Sequence, residues 1–158
     1  MPELKMRPMT DEEYPTWRAQ HVADYAEDMA RNSGVDAATL MEQSEREQSE
    51  LLPDGLRTPG HRLVIAEDPA TGQQVGWLWL GDRKSDAGHV AWVYDIVVEE
   101  GVRGSGYGRA ILAQAEVLAT EMGLNRIELN VFGDNGAARA LYESSGYHET
   151  ARQMAKDL

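Results

Sequence analysis

The stretch Ile96–Leu112, IVVEEGVRGSGYGRAIL, joins a β-branched run to a loop with four glycines and then to an amphipathic segment. This pattern predicts a strand, a loop and a helix that begins at about Gly108. The first amides of a helix have no partners within it and lie at the positive end of the helix dipole. Alternating glycines at Gly104, Gly106 and Gly108 would let the backbone approach a ligand closely. The stretch therefore predicts a phosphate-binding site.

Three known phosphate-binding patterns can be compared with this loop. A P-loop requires Gly-Lys-Ser/Thr at the helix start, but Gly108 is followed by Arg109. The dinucleotide fingerprint G-x-G-x-x-G fails because the spacing from Gly104 is one residue short. The third pattern, Arg-x-x-Gly-x-Gly, is filled by Arg103, Gly106 and Gly108, and it resembles the pyrophosphate loop of the GNAT superfamily of N-acetyltransferases, which bind acetyl-coenzyme A. Taken alone, so short a motif is also compatible with a tight loop that binds nothing.

A second stretch strengthens the resemblance to this superfamily. Its other signature is Asn-x-x-Ala-x-x-Leu-Tyr-x-x-x-Gly-Phe/Tyr. The segment that follows the fifth predicted strand matches it at six positions, in the order and at the separation that the superfamily has: Asn135, Ala138, Leu141, Tyr142, Gly146 and Tyr147. The N-terminal half of the chain shows no comparable signature.

Composition limits the classes of protein that remain. A chain of 158 residues is expected to form one domain, residues 1–158. The absence of cysteine excludes disulfides, thiolate metal sites and a cysteine nucleophile, and it is compatible with a reducing cytoplasm. We expect neither a transmembrane segment nor a targeting segment, because no apolar run is long enough. A net charge of −12 disfavours binding to nucleic acid or to anionic lipid, and it could attract cationic amines.

The resemblance implies an α/β (α+β) architecture, the GNAT fold. That fold has a mixed central sheet of six or seven strands, with strands 4 and 5 parallel and splayed apart, and four helices distributed over both faces. Periodicity predicts strands at Leu4–Met9, His61–Glu67, Gln74–Leu80, Val90–Val98, Arg126–Phe132 and within Tyr147–Leu158. It predicts helices from Thr10 to Gly34, over Ala37–Leu52, from about Gly108 to Met122, and from Asn135 to Gly146.

Two details of these strands bear on the site and on assembly. Alternation predicts Val75, Trp77 and Trp79 on one face of the third strand. Only twelve residues follow Gly146, enough for one strand or a very short hairpin, so a seventh strand is either absent or supplied by a partner chain, as in a homodimer.

The resemblance also assigns a coenzyme site. The pantetheine arm would pair with the exposed edge of the fourth strand, and the loop amides would hold the pyrophosphate. The phenol of Tyr142 would lie beside the sulfur, and the side chain of Asn135, the predicted helix cap, would contact the coenzyme. The residues implied are Ile96, Val97, Val98, Arg103, Gly104, Ser105, Gly106, Tyr107, Gly108, Arg109, Asn135 and Tyr142.

Acetyl transfer needs an acid for the leaving thiolate and a base for the attacking amine. Tyr142 is the predicted acid, because a phenol stays protonated at neutral pH. Asp95 on the fourth strand is the predicted base, and alternation places it on the opposite face from Tyr94 and Ile96. Glu67 and His89 are alternative bases. An aromatic stripe on the first helix either belongs to the core or faces the acceptor at Trp17, His21 or Tyr25.

The functional hypothesis is an N-acetyltransferase that moves the acetyl group of acetyl-CoA directly to a primary amine of a small molecule or peptide. No metal is expected in this reaction. The alternatives are a non-catalytic acyl-CoA-binding sensor module with the same fold and a nucleotide-binding regulator. Turnover with an amine distinguishes the enzyme from the sensor, and affinity for ATP or NAD would identify the regulator.

Overall fold

The computed structural model describes all 158 residues, and its core is a five-stranded sheet in the order β1-β2-β3-β4-β5. The strands are β1 (Lys5–Pro8), β2 (His61–Glu67), β3 (Gln74–Ser85), β4 (Gly88–Val98) and β5 (Ile127–Leu129). The helices are α1 (Tyr14–Ser33), α2 (Ala37–Leu51), α3 (Tyr107–Glu121) and α4 (Gly136–Ser144), with short 3₁₀ turns at Gly55–Arg57 and Glu100–Val102. The first four strands pair antiparallel, and β5 pairs parallel to β4.

Side chains on the two faces of the sheet pack into two separate layers. Neighbouring residues of β2, such as Leu63 and Val64, enter different layers because successive side chains of a strand point to opposite faces. The aliphatic layer, on the α3 side, consists of Val64, Ala66, Val75, Leu78, Leu80, Ala91, Val93, Ile111, Ala115 and Ala119. The aromatic layer, on the α1 side, consists of Met9, Trp17, Leu52, Leu63, Ile65 and Trp79, with Tyr14, Trp77 and Tyr94 packed against it.

The prediction of six or seven strands is wrong, because Tyr147–Leu158 forms no strand. Beyond Tyr147 every residue of this segment is exposed, and the Arg152 guanidinium pairs locally with Glu149. The segment lacks the β-branched alternation that would give a strand an apolar face to bury. The outer edge of β5 therefore has no neighbouring strand.

The hairpin between β3 and β4 is longer than predicted. The polar run after Leu80 was expected to be a connection, but β3 continues to Ser85 and pairs with β4 down to Gly88. Polar side chains are compatible with this extension because Asp82, Arg83 and Lys84 are exposed at the protruding end of the hairpin. Conversely, β5 covers only Ile127–Leu129 of the predicted Arg126–Phe132.

Two register shifts change which side chains share a face. Between Ala66 and Glu67 of β2, β3 contains one extra residue, so Val75 packs in the aliphatic layer while Trp77 and Trp79 lie on the other face. The predicted common face for these three residues is therefore wrong. Each shift is a β-bulge, in which two residues of one strand oppose one of its partner.

The second shift decides the orientation of Asp95. Trp79 pairs with Asp95 and Leu80 pairs with Val93, which leaves Tyr94 as the extra residue of β4. Tyr94 stacks on Trp79, and Asp95 accepts a hydrogen bond from the Trp77 indole, so both side chains lie on the α1 side. The prediction that Asp95 and Tyr94 face opposite sides is wrong, whereas Ile96 does face the aliphatic layer as predicted.

The parallel pair β4–β5 is short. It comprises three residue pairs and ends where Val93 meets Leu129. Beyond Val93, β4 continues for five residues with β3 as its only neighbour. The predicted parallel pairing of the fourth and fifth strands is confirmed. Past Val93 the edge of β4 at Ile96–Val98 is not paired with β5, and this free edge borders the candidate cleft. Of the helices around this sheet, none combines the length and hydropathy required to cross a membrane.

Candidate active site

The loop between β4 and α3 presents a run of free backbone amides. The amides of Val102 and Arg103 bond within the preceding 3₁₀ turn, and the next amide with a partner is Ala110, which donates to Gly106. The six intervening N–H groups, from Gly104 to Arg109, have no acceptor within the protein. They surround the N-terminus of α3, where the helix dipole is positive. This arrangement is suited to hold an anion with several acceptor oxygens.

Glycine is required at two positions of this loop by backbone conformation. Gly104 and Gly106 have φ of 79° and 88°, in the left-handed region that side chains disfavour. Gly108 is helical and is instead limited by space. A Cβ there would lie 3.2 Å from Leu141 Cδ2 and 3.6 Å from Val98 Cγ2. The three alternating glycines thus have different reasons: two shape the loop, and the third lets α4 and β4 approach α3.

The open edge of β4 lies beside this loop. The amide of Glu99 donates to the Val75 carbonyl at 2.8 Å, so alternation directs the backbone groups of Val97 towards β3. The backbone groups of Ile96 and Val98 then face the cleft. Consistent with this, the Val98 carbonyl accepts a hydrogen bond from Arg103 Nε at 3.0 Å. The guanidinium of Arg103 therefore lies at the mouth of the cleft, between the strand edge and the loop amides.

Other predicted coenzyme-binding residues offer their backbone rather than their side chains. The Arg109 guanidinium donates to the hydroxyl of Ser144 at 2.8 Å and so ties α3 to the end of α4. The Tyr107 ring packs against the aliphatic layer, while Ser105 is exposed on the loop. Only the amides of these three residues point to a common anion site.

Helix α4 carries Tyr142 and packs against the start of α3, where Leu141 lies next to Gly108. The side-chain oxygen of Asn135 accepts a hydrogen bond from the Ala138 amide at 3.1 Å, which confirms the predicted cap. Burial and, secondarily, the charge of Asp95 raise the pKa of Tyr142. The phenol is therefore held protonated, and the negative charge of Asp95 adds to the effect of burial.

The Tyr142 hydroxyl differs from that of its neighbour Tyr147. Their rings are 5.9 Å apart. The Tyr147 hydroxyl is buried without a partner, and burial raises its pKa first of all, followed by the charge of Glu116. The Tyr142 hydroxyl is not among the buried unpartnered atoms. Since it also makes no hydrogen bond within the protein, it reaches the cleft and is free to donate to a ligand.

Asp95 is held by two side chains on the α1 side of the sheet. The Trp77 indole Nε1 donates to Asp95 Oδ2 at 2.6 Å, and the His21 Nδ1 lies 3.3 Å from the same oxygen. Both His21 and Asp95 are mostly buried, with side-chain exposures of 12% and 17%. A carboxylate in such a position is bonded and partly shielded from water, which strengthens its interaction with a cation.

Aromatic rings form the wall beside Asp95. His21 lies between the rings of Trp17 and Tyr25, nearly parallel to both, at centroid distances of 5.3 and 6.0 Å. Trp79 meets His21 edge-on at 5.3 Å and stacks with Tyr94 at 4.5 Å. The aromatic stripe of α1 thus both packs against the core and borders the cleft.

Comparison with known proteins connects this geometry to a family. Residues 35–147 match the model of the acetyltransferase (GNAT) family. The uncharacterized N-acetyltransferase YycN of Bacillus subtilis is 34% identical over 98% of this chain and 99% of its own. The crystal structure of YycN covers 99% of both chains with a TM-score of 0.91 and 32% identity. This chain belongs to the GNAT acetyltransferase family. The predicted family and the prediction of an acyltransferase are therefore confirmed.

A more distant likeness concerns the fold alone. The structure of AAC(6')-Iy in complex with the bisubstrate analog CoA-S-monomethyl-acetylneamine superposes with a TM-score of 0.65 at 17% identity over 99% of this chain and 98% of that one. The two chains share a fold, and the bound analog is a property of that protein.

The structure separates the alternative bases of this GNAT chain from the cleft. Glu67 Oε1 is paired with Arg7 Nε at 2.5 Å, in a clamp that also includes Glu13. His89 pairs with Asp82 at 2.8 Å on the protruding hairpin, and its side chain is 66% exposed. Glu67 therefore ties β1 to β2, and His89 lies on the surface of the hairpin. Asp95 is the one of the three candidates that borders the cleft.

Sequence reasoning missed two contributors to this GNAT site. Trp77 donates to Asp95, and His61 Nδ1 accepts a hydrogen bond from the Trp79 indole at 3.0 Å. Burial lowers the pKa of His61, which is consistent with a neutral ring. The pairing of β3 with β4 could have suggested Trp77, since it lies opposite Val97, but only the bulge at Tyr94 turns Asp95 towards it.

Proposed function

We propose that this protein is an N-acetyltransferase that transfers the acetyl group of acetyl-CoA directly to a primary amine of a small molecule or peptide. One observation supports this most strongly. Six free amides lie where β4 leads into α3, and the edge of β4 beside them is not paired with β5 beyond Val93. A diphosphate would bind at these amides, and the extended arm of the coenzyme would lie along the strand edge towards Tyr142 and Asp95.

The coenzyme would be held mainly by backbone groups. The amides from Gly104 to Arg109 would bind the pyrophosphate oxygens, with added charge from Arg103. The pantetheine arm would pair with the free edge of β4 at Ile96 and Val98, in the manner of an added strand. Asn135, which caps α4, fixes the helix that delivers Tyr142 to the thioester end.

The reaction would use Tyr142 as the acid and Asp95 as the base. Tyr142 is the proposed proton donor to the departing thiolate, because its raised pKa keeps the phenol protonated at neutral pH. Asp95 is the proposed base that drives removal of the amine proton. In this arrangement the amine and the thioester would meet between Tyr142 and Asp95.

The surroundings favour a cationic acceptor. The chain has a net charge of −12, and the wall beside Asp95 consists of aromatic rings. A carboxylate attracts an ammonium group, and aromatic faces attract it further. Small primary amines and polyamines fit this chemistry first, and peptide amino groups second.

The test is amine-dependent release of coenzyme A. A thiol reagent can follow the product without background, because the chain has no cysteine. We expect release with a polyamine or a peptide amine and none with a tertiary amine of similar size, which cannot form an amide. If acetyl-CoA binds and no member of a broad primary-amine panel accelerates release, the proposal of an N-acetyltransferase is wrong.

The coenzyme loop can be tested separately by binding calorimetry. Gly106→Val places a β-branched side chain at a φ of 88°, and we expect at least a tenfold loss of affinity for acetyl-CoA. Gly101→Val is the matched control, since Gly101 has an ordinary φ and open space around its Cβ position. Equal affinities of the two folded variants would contradict the assignment of the loop.

A homodimer is also proposed. The outer edge of β5 has no neighbouring strand, and such an edge can pair with another chain. Light scattering at several protein concentrations measures the mass directly, and a monomer at all of them would exclude the dimer.

A further inference from the structure

His21 lies in a position that the predicted acid–base pair does not explain. Its Nδ1 is 3.3 Å from Asp95 Oδ2, the same oxygen that accepts the Trp77 indole at 2.6 Å. Asp95 Oδ2 therefore accepts one hydrogen bond and has the His21 ring beside it. A carboxylate in this place would stabilise a positive charge on that ring.

The other ring nitrogen of His21 is free. His21 Nε2 makes no hydrogen bond within the protein, and it is not among the buried polar atoms that lack a partner. It therefore reaches solvent, although 12% of the side chain is all that is exposed. Stacking between Trp17 and Tyr25 fixes the plane of the ring. A proton on Nδ1, directed at Asp95, leaves Nε2 as an acceptor.

We propose that His21 is the group that takes the proton from the attacking amine, and that Asp95 and Trp77 are positioning residues that orient it. This inference rests on the acetyl transfer proposed above and adds a residue to it. The imidazole accepts at Nε2 while Asp95 stabilises the resulting imidazolium through Nδ1. Asp95 thus acts on the amine through His21.

The protons and bonds balance with these residues alone. The protonated amine gives one proton to His21 Nε2, and its freed lone pair forms the new C–N bond at the thioester carbonyl. When the C–S bond breaks, the thiolate takes the proton of Tyr142. The amide nitrogen loses its second proton, which restores Tyr142 directly or through water. The proton on His21 leaves to solvent, so each turnover releases one proton.

The charged and titratable groups that face His21 come from several elements. Asp95 of β4 is the nearest, and Tyr25 follows on α1, with Glu47 of α2 near its phenol. Tyr94 and His61 lie behind the Trp79 ring. Burial is the largest cause that raises the pKa of Tyr25 and of Tyr94, so both stay neutral over the range in which an imidazole titrates.

The test compares two His–Asp pairs of the same chain. In His21→Gln we expect kcat near neutral pH to fall on the order of 10²-fold, the usual range for a general base. The deficit should shrink above about pH 9, because the free amine then forms without help. His89→Gln removes the exposed partner of Asp82 and should change neither kcat nor the pH profile. An unchanged kcat and profile in His21→Gln would overturn the proposal.

Two further measurements exclude a purely structural role. In His21→Ala, added imidazole should restore turnover, since it can occupy the space between Trp17 and Tyr25. Asp95→Asn should lower kcat with the ring still in place, because the imidazolium loses its counter-charge. A folded His21→Ala that imidazole fails to rescue, and that stays inactive at alkaline pH, would also overturn the proposal.

These outcomes separate the role of His21 from the N-acetyltransferase assignment of the same site. If the wild type shows no turnover with any amine, the N-acetyltransferase assignment itself fails. If the wild type is active and His21→Gln matches it, only the role of His21 fails.

Discussion

On the α3 side of the sheet every buried residue is aliphatic, from Val64 on β2 to Ile111 on α3. On the α1 side, Trp17 and Trp79 pack against His21 and Tyr94, and Asp95 accepts an indole hydrogen bond. Successive residues of each strand point to opposite faces, so neighbouring positions in the sequence contribute to both. A face without polar groups can only stabilise the fold, whereas a face whose polar groups are bonded to one another can also hold charge in place.

The face on the α1 side also carries titratable groups whose pKa values are shifted by burial. Burial shifts the pKa of Tyr94 and Tyr142 upward and that of His61 downward, and each of these groups lies on the α1 side or at the cleft that opens from it. Perturbed titratable groups gathered at a cleft are typical of a functional site. The comparison therefore predicts that substitutions on one face change stability and that substitutions on the other change catalysis.

The largest expected effect is on the aliphatic face. Ile111→Ala removes a fully buried side chain of α3 and should lower the free energy of unfolding by about 2–5 kcal/mol. Turnover per folded molecule should stay within about twofold, because Ile111 is on the opposite side of the sheet from Asp95. Denaturant unfolding and kinetics below the transition measure both quantities.

Val117→Ala on the same helix is the matched control, since Val117 is exposed and its loss should cost less than about 0.5 kcal/mol. A large fall in turnover in folded Ile111→Ala would show that the two faces are coupled and would break the comparison.

The second effect is on the cleft. Tyr142→Phe should reduce kcat on the order of 10²-fold, about 2.7 kcal/mol, while affinity for acetyl-CoA and stability change little. The reason is that the variant removes a hydroxyl which bonds to nothing in the protein but reaches the cleft. Steady-state kinetics measures kcat, and calorimetry measures the affinity for acetyl-CoA.

Tyr147→Phe provides the comparison for that prediction. It removes a buried hydroxyl without a partner 5.9 Å away, ring to ring, and should leave kcat unchanged with equal or greater stability. Similar kinetics for the two variants would reject Tyr142 as the acid.

Much of this arrangement could be predicted from the sequence. The strand–loop–helix at Ile96–Leu112, the Asn135 cap and the parallel pairing of β4 with β5 each depend on local pattern or on motifs with fixed spacing. The bounds of β2 were predicted to the residue. Local pattern succeeds where a segment has one apolar face and a clear turn at each end.

The errors arose where register, rather than propensity, decides the outcome. A bulge adds one residue without any mark in composition, so nothing near Tyr94 indicates that Asp95 shares its face. The same holds for Val75 and its tryptophan neighbours. The proximity of His21 to Asp95 depends on how α1 crosses the sheet. Whether a sixth strand forms depends on whether the exposed, polar segment after Tyr147 can pair with the edge of β5.

The third effect tests the support of Asp95. Trp77→Phe keeps a ring on the α1 face but removes the indole that donates to Asp95 Oδ2. We expect kcat to fall about tenfold, equivalent to about 1.4 kcal/mol, with affinity for acetyl-CoA unchanged. Trp92→Phe is the control, because that ring lies on β4 beneath the Arg83 guanidinium at 4.1 Å, away from Asp95. Equal kcat values in the two variants would mean that the position of Asp95 does not depend on the indole.

The smallest effect concerns the pH dependence of stability on the aromatic face. Burial lowers the pKa of His61 below its usual value near 6.5, and Asp82 opposes the shift only in part. Between the two pKa values the unfolded chain binds more protons than the folded one, so stability rises with pH in that window. The free-energy cost of burying a protonated His61 is absent above about pH 7.5 and develops as the pH falls below 6.5.

In His61→Gln the free energy of unfolding should therefore decline less between pH 7.5 and 5 than in the wild type. Denaturant titrations at each pH measure this. If the free energy of unfolding changes equally with pH in both proteins, His61 is as well solvated as a residue of the exposed hairpin, and the two faces do not differ in their electrostatics.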